Sequence, residues 1–456
     1  MLIRSRRDFM KSIVSSVGMA GALGALGKFG EMNALAGGAD YKALVCIFLA
    51  GGNDCHNTVI PISTSQQNYS LYAQGRQTLA LPQASLPTIS NGSDVYGLHT
   101  SMPEMAALYN AGNAAIVANT GMLLQPVTQA QYQSGNLSIL PAQLFSHSDQ
   151  TNQWQTAIPN GAASIGWGGE AADRLASYNQ GATFSPVTST GGCGLFCTGA
   201  QTFPATVPPT GAATLAGAGS GSRLAALQQL LTFSNGLQLV QAANNNLSVG
   251  IGYANALTAA LASSNIQTTF PSSALGQQLQ TVAKIMKVQQ ALGVYRQVFF
   301  CQLDGFDTHG GQTAIQQSLL TDLSQSVSQF YAATTQELGI GNKVVTFTAS
   351  EFGRTLQPNG SPGGGTDHAW GSHHFVISQG AQSGGSLQGG KFFGNFPSLA
   401  LGGPNDANTR GTLIPTTSVE QYAATIGSWF GLAPSDIAAM FPYLSNFPTS
   451  NLGFLG

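Results

Sequence analysis

Five short apolar runs punctuate this 456-residue chain, each ending in a polar or glycine-containing turn. Lys42–Ala50 (KALVCIFLA) is apolar after its first residue and leads into Gly51-Gly52-Asn53-Asp54. Ala114–Asn119 (AAIVAN), Val298–Leu303 (VFFCQL), Val344–Ala349 (VVTFTA) and His374–Ser378 (HFVIS) read the same way. Short runs without alternation predict strands buried on both faces. Between them, Met102–Asn110, Leu224–Ala243, Ser273–Leu292 and Thr313–Leu338 repeat apolar residues every three to four positions. That spacing predicts helices, with Leu319, Leu320, Leu323, Val327, Phe330 and Tyr331 on one stripe. Strands alternating with helices predict an α/β fold: a doubly wound, mostly parallel sheet with helices on both faces. Residues 181–222, rich in Gly, Ala, Thr and Pro, read as a surface insertion or lid, and residues 357–366 as a flexible loop.

The polar residues then take on meaning from where they fall. Asp54, Asp307 and Glu351 each follow the C-terminal end of an apolar run, the edge where ligands bind in open α/β sheets. Charged residues are only 7% of the chain, yet Asp and His recur together at these ends. Thr366–His374 holds three of the seven histidines, beside Asp367. Asp307-Thr308-His309 repeats the pairing, and Gly51–His56 offers a third instance. Imidazole and carboxylate together suit Zn, Mn or Fe. Asp307, His309, Asp367 and His368 are therefore expected metal ligands. Asp54 has a plainer alternative as a helix cap, and His309 as a polar turn residue. Glu351, His56 and His147 are second-tier candidates, and His99 reads as a capping or structural residue. Trp154 and Trp370 read as core packing rather than pocket walls.

The N-terminus changes the picture of where the protein works. Ser5-Arg6-Arg7-Asp8-Phe9-Met10-Lys11 has the form of a twin-arginine export signal, followed by a mild apolar run and a small-x-small site at Ala34-Leu35-Ala36. Residues 1–36 are expected to be removed, leaving a single domain over 37–456 in the periplasm or outside the cell. The twin-arginine machinery, which carries folded and often metal-loaded proteins, is the expected partner. Five of the 16 basic and two of the 18 acidic residues fall in 1–36, so 11 and 16 remain, a formal net of −5. So few cations do not neutralise a phosphate backbone, which excludes nucleic acid. No mature segment is apolar for long enough to predict a membrane span. Cys193 and Cys197 are expected to form a local disulfide in an oxidising compartment, Cys46 and Cys301 to be core thiols, and Cys55 to be a small buried turn residue rather than a ligand.

GGND after the first strand, SHSDQ followed by Trp154, DGFDTH, SEFGRT and GTDHAWGSHH together resemble domain of unknown function 1501. That family is similar to the alkaline phosphatase and sulfatase superfamily. The resemblance covers about Tyr41 to Gly431. It implies an exported hydrolase of small or polymeric phosphate or sulfate esters, working with two divalent ions among Zn, Mn, Mg and Ca. It also implies Asp54 as a ligand, Ser146 (ahead of Ser148) as a metal-activated nucleophile at a helix start, and His374 or His373 as a closing ligand. Arg354 would grip the ester oxygens, or else pair with Glu351. This chain departs from the superfamily in three ways. Asp-x-His replaces Asp-x-x-x-His, the last histidine lies close to Asp367-His368, and Cys-x-Pro-x-Arg is absent. The last point disfavours a formylglycine sulfatase. An alternative reading is a non-catalytic exported scaffold with a structural or degenerate metal site.

Overall fold

The run Lys42–Ala50 forms strand β1, and seven of its nine residues are buried, so it is covered on both faces. The computed structural model describes residues 40–456 except 161–162, 193, 210–220, 234–235, 263 and 362. The expected export signal and the Cys193 half of the expected disulfide lie outside the described residues. Lys42–Gly456 makes one unit.

Further strands follow in chain order: β2 (Val59–Ser63), β3 (Thr88–Asn91), β4 (Asp94–Leu98), β5 (Ala114–Gly121), β6 (Val187–Ser189) and β7 (Ala205–Thr206). After them come β8 (Arg296–Asp304), β9 (Val344–Ala349), β10 (Ser372–Ile377), β11 (Phe392–Phe393) and β12 (Thr417–Ser418). The main sheet runs β11-β5-β10-β9-β1-β8-β6-β7, with β12 also beside β5. β1 pairs in parallel with β8 and β9, setting Val45 opposite Phe299 and Thr346. The mostly parallel α/β sheet expected from the sequence is present. Only β10 runs against its neighbours. Among the described residues no helix separates β9 from β10, so the chain turns back at the edge it has just reached instead of crossing over.

Alternation sorts the β1 side chains between two helical layers. Leu44, Cys46 and Phe48 join one cluster with Trp154, Trp167, Tyr422 and Phe430, from the helices His147–Thr156, Trp167–Arg174 and Val419–Phe430. Val45, Ile47 and Leu49, equally buried, face the other way. The helix Ala274–Lys287 packs on β8 and on the helix Gln312–Ala332.

Three sequence expectations change. The helix predicted over 224–243 is two, Gly221–Thr232 and Gln238–Leu261, with Gly236 at φ +79° between them. Asn235-Gly236 is a turn signal that the apolar spacing overrode. Residues 181–222 are more than a surface insertion, since β6 and β7 extend the main sheet beyond β8. Val59–Leu98 adds a separate antiparallel sheet, β2-β4-β3, with no counterpart in the sequence reading.

Two measurements test this packing. Phe347 is 1% exposed in β9 and lies against Trp167, Phe196 and Tyr422. Phe347→Ala should cost about 3–5 kcal/mol in urea unfolding, and a loss below about 1 kcal/mol would contradict its place in the core. Glu420 is also buried. Its Oε1 accepts the Tyr443 N–H at 3.2 Å, while Oε2 finds no partner among the described residues. Burial pushes its carboxyl from 4.5 up to about 8, with the Tyr443 N–H opposing. Between those values the unfolded chain ionises Glu420 and the folded chain does not. Stability should therefore fall as pH rises through that window, by up to about 1.4 kcal/mol per pH unit. Glu420→Gln should flatten the slope, and an unchanged slope would sink this assignment.

Candidate metal centre

β1, β8 and β9 end together, and the loops that follow meet above them. Gly51, at φ +117°, is where two of these loops touch. A Cβ there would sit 2.2 Å from the Asp307 nitrogen, so only glycine lets the loops approach. The Arg354–His368 bridge, with the hydrogen bonds Thr355 N–H to Asp367 O and Ala369 N–H to Gly353 O, lays Asp367-His368 against the loop after β9. The helix His147–Thr156 brings its first residue to the same place.

Three imidazoles and one carboxylate converge here. His368 Nε2 lies 3.1 Å from both His147 Nε2 and His309 Nε2. Asp307 stands 3.4 Å from His147 Nε2, 3.0 Å from His309 Nε2 and 3.3 Å from His368 Nε2. Each outer ring nitrogen faces an acceptor. His147 Nδ1 meets Glu351 Oε1 at 2.9 Å, His368 Nδ1 meets the Phe145 carbonyl at 2.8 Å, and His309 Nδ1 meets Asp367 Oδ1 at 3.3 Å. Phe145 itself has φ +72°, which turns that carbonyl to the ring.

The tautomers follow from these partners. An acceptor at Nδ1 fixes the proton there, so each neutral ring directs its Nε2 lone pair inward. Three lone pairs around a carboxylate repel one another unless a cation sits among them. His147, Asp307 and His368 offer ligand atoms within 4.8 Å of one another, His309 Nε2 adjoins His368 and Asp307, and this set of nitrogen and oxygen donors fits a divalent transition ion, with the outer acceptors as the orienting groups such ligands need. His147, Asp307, His309 and His368 would hold it.

Local electrostatics prepare the group. Burial works against the Asp307 charge, but Arg354 at 2.9 Å, with His309 and His147, outweighs it and holds the carboxyl below its ordinary value. Glu351 raises His147, so a proton there competes with a metal. Burial lowers His368, against the pull of the Phe145 carbonyl. Asp367 is lowered because Arg410 at 2.7 Å and Asn359 outweigh its burial.

The expected site residues divide accordingly. Asp307, His309 and His368 meet, and Asp367 stands behind His309. His147 and Glu351, second-tier in the sequence, are at the centre. Asp54 is elsewhere: it is buried, pairs with Arg76 and accepts from Gln312 Nε2. It also caps its short helix, accepting the His56 N–H at 3.1 Å, as the plainer reading held. His374 is fully buried on reversed β10, its ring between Trp154 and Tyr422 at 4.7 and 5.9 Å, and it does not join the cluster. His373 accepts the Asn119 N–H at Nδ1 and does not join either. Ser146 Oγ caps the helix and donates to Asp149 Oδ2 at 2.5 Å. Arg354 is wholly buried, and its donors go to Asp307, Gly51 O and Thr366. Its ion pair is with Asp307 at 2.9 Å and not with Glu351. Cys55 is buried, its thiol pushed up to about 12 by burial, which suits the turn residue and not a ligand.

Sequence reasoning missed Arg76 and Arg410 altogether. Neither stands in a recurring pattern. Arg76 is wholly buried and also donates to Asn57 and to the Thr355 and Leu356 carbonyls. A hydrogen-bonded line runs from Arg354 Nε through Thr366 Oγ1 to Gln312 Oε1, and from Gln312 Nε2 to Asp54. Removing one charge of the Asp54–Arg76 pair should be costly, because the other stays buried. Asp54→Ala should lose about 3–5 kcal/mol, and the double variant Asp54→Ala/Arg76→Met should recover most of it. A double variant no more stable than the single one would contradict the pair.

No curated protein sequence matches this chain. Among solved structures, it is similar to the lipoteichoic acid synthase LtaP from Listeria monocytogenes, at 8% identity and a TM-score of 0.31, over 84% of this chain and 76% of that one. It is also similar to the PsFucS1 sulfatase from Pseudoalteromonas sp., at 9% identity and 0.32, over 93% and 72%. The alkaline phosphatase from the Antarctic bacterium TAB5 matches at 10% identity and 0.26, over 75% and 92%. The segments that carry His147, Asp307, His309 and His368 all fall inside one matched stretch, residues 41–432, and the chain belongs to the family described as Protein of unknown function (DUF1501).

Proposed function

We propose that this protein is an exported, metal-dependent hydrolase of phosphate or sulfate esters. The observation that carries the reading is the convergence of three Nε2 atoms on Asp307, with every Nδ1 held from outside. When bound, a divalent ion supplies Lewis acidity that polarises an ester oxygen. One ion accounts for the donors that converge, and Asp54, expected to serve a second, is matched by Arg76. The ester class follows the family resemblance. Export follows the twin-arginine sequence, and among the described residues no helix is long and apolar enough to cross a membrane.

The chain's own residues have separate tasks in this reading. Glu351, Asp367 and the Phe145 carbonyl keep protons on the outer ring nitrogens. Arg354 keeps Asp307 ionised and in place. Ser146, next in the chain to His147, is the hydroxyl nucleophile, and Asp149 at 2.5 Å accepts its proton. The scaffold alternative asks for a closed ligand sphere. Asp307 and His309 are 45% and 47% exposed, which leaves one side of the group open to a substrate.

Plasma mass spectrometry on natively exported protein tests the metal. About one equivalent of a transition ion is expected, retained in Ser146→Ala and lost in His147→Ala and His368→Ala. Turnover of p-nitrophenyl phosphate or p-nitrophenyl sulfate should vanish in all three variants. A folded wild type without metal, or full turnover in His368→Ala, would overturn the proposal.

A further inference from the structure

β11, β4 and the loops beside them enclose a second site, a cleft of about 320 Å³. Its floor is aromatic. Tyr96 lies 4.5 Å from Phe392 and 5.0 Å from Phe396, and Phe392 and Phe396 are 6.0 Å apart, centroid to centroid. Tyr96 is buried, while Phe392 and Phe396 are half-buried and keep ring surface for the cleft.

The polar rim is oriented by the backbone. Asn91 Oδ1 accepts the Phe392 N–H at 3.2 Å, and Asn405 Oδ1 accepts the Ser398 N–H at 2.9 Å. Asn91 and Asn405, held by these bonds, line the cleft, and each carries an Nδ2 donor group. Asp94 adds a carboxylate acceptor, steadied by the Ser65 N–H at 2.8 Å. Among the described residues that line the cleft, none is Lys, Arg or His. A phosphate or sulfate group would meet a carboxylate there and no cation. Apolar ring surface beside fixed amide donors and one acceptor instead matches the C–H face and hydroxyl groups of an uncharged sugar ring.

We propose that this cleft is a binding subsite for a neutral sugar residue of a glycan. β11 runs parallel to β5, which shares the direction of β9 because β10 opposes both, and Gly394, Asn395 and Phe396 of the lining follow β11 at the same end of the strands as the metal cluster. β11 stands four strand spacings from β1, roughly 19 Å. A glycan chain bridges such a distance and a single sugar does not. That the same glycan carries the ester rests on the hydrolase reading; binding at the cleft does not.

Saturation-transfer NMR on the exported protein tests it, with cellotetraose, maltotetraose, mannotetraose and xylotetraose as probes. Transfer to at least one tetrasaccharide is expected, unchanged by EDTA and unchanged in His368→Ala, which separates it from the metal reading. Phe396→Ala removes ring surface. Asn91→Asp keeps the oxygen that holds the Phe392 N–H and replaces the Nδ2 donor by an acceptor. Each should weaken binding roughly fivefold or more, the worth of about one hydrogen bond or more. No transfer to any of the four, or undiminished transfer in both variants, would overturn the proposal.

Discussion

The placement of protons on three histidines governs this molecule. Glu351, Asp367 and the Phe145 carbonyl take the outer nitrogens of His147, His309 and His368, and the inner lone pairs have nowhere to point but at one another and at Asp307. That arrangement is unfavourable without positive charge at its centre. Much of the surrounding architecture can be read as the means of holding it. β1 and β8 end level with β9 two residues short, Gly51 lets two loops touch, and Phe145 takes a left-handed backbone to aim one carbonyl.

Buried arginines supply the second layer. Arg354 reaches Asp307 from beneath, and Arg76 neutralises Asp54. Gln312 and Thr366 connect the two. Burying two guanidinium groups is expensive unless they are paired and hydrogen-bonded, and Arg354 places four hydrogen bonds on a carboxylate, two carbonyls and a hydroxyl. The same bonds leave Arg354 wholly buried, with its donors turned to the protein. A cation in a strand-end motif thus serves the ligand rather than the ester.

The central strands were legible because continuous apolar runs of five to nine residues have few other uses; Lys42–Ala50 and Val344–Ala349 match the structure end to end. Short strands such as β6, β7, β11 and β12 carry too few residues to leave a pattern. The reversal of β10 depends on a loop without a helix, which periodicity does not register, and with it goes the place of His374. Asp307, His309 and His368 were visible as Asp and His recurring in a charge-poor chain. His147 was harder to rank, since it stands in no Asp-His pairing, and it is the first residue of a helix that Ser146 caps. Asp54 looked like a ligand because its partner, Arg76, lies 22 residues on in a helix with no motif.

A metal centre is defined by the atoms that surround its ion. X-ray absorption at the zinc edge, on protein loaded with one equivalent of Zn²⁺, reads that shell directly. The structure predicts nitrogen and oxygen ligands at about 2.0–2.1 Å, with the outer scattering of about three imidazoles. A shell without imidazole scattering, or one containing sulfur at about 2.3 Å, would contradict it.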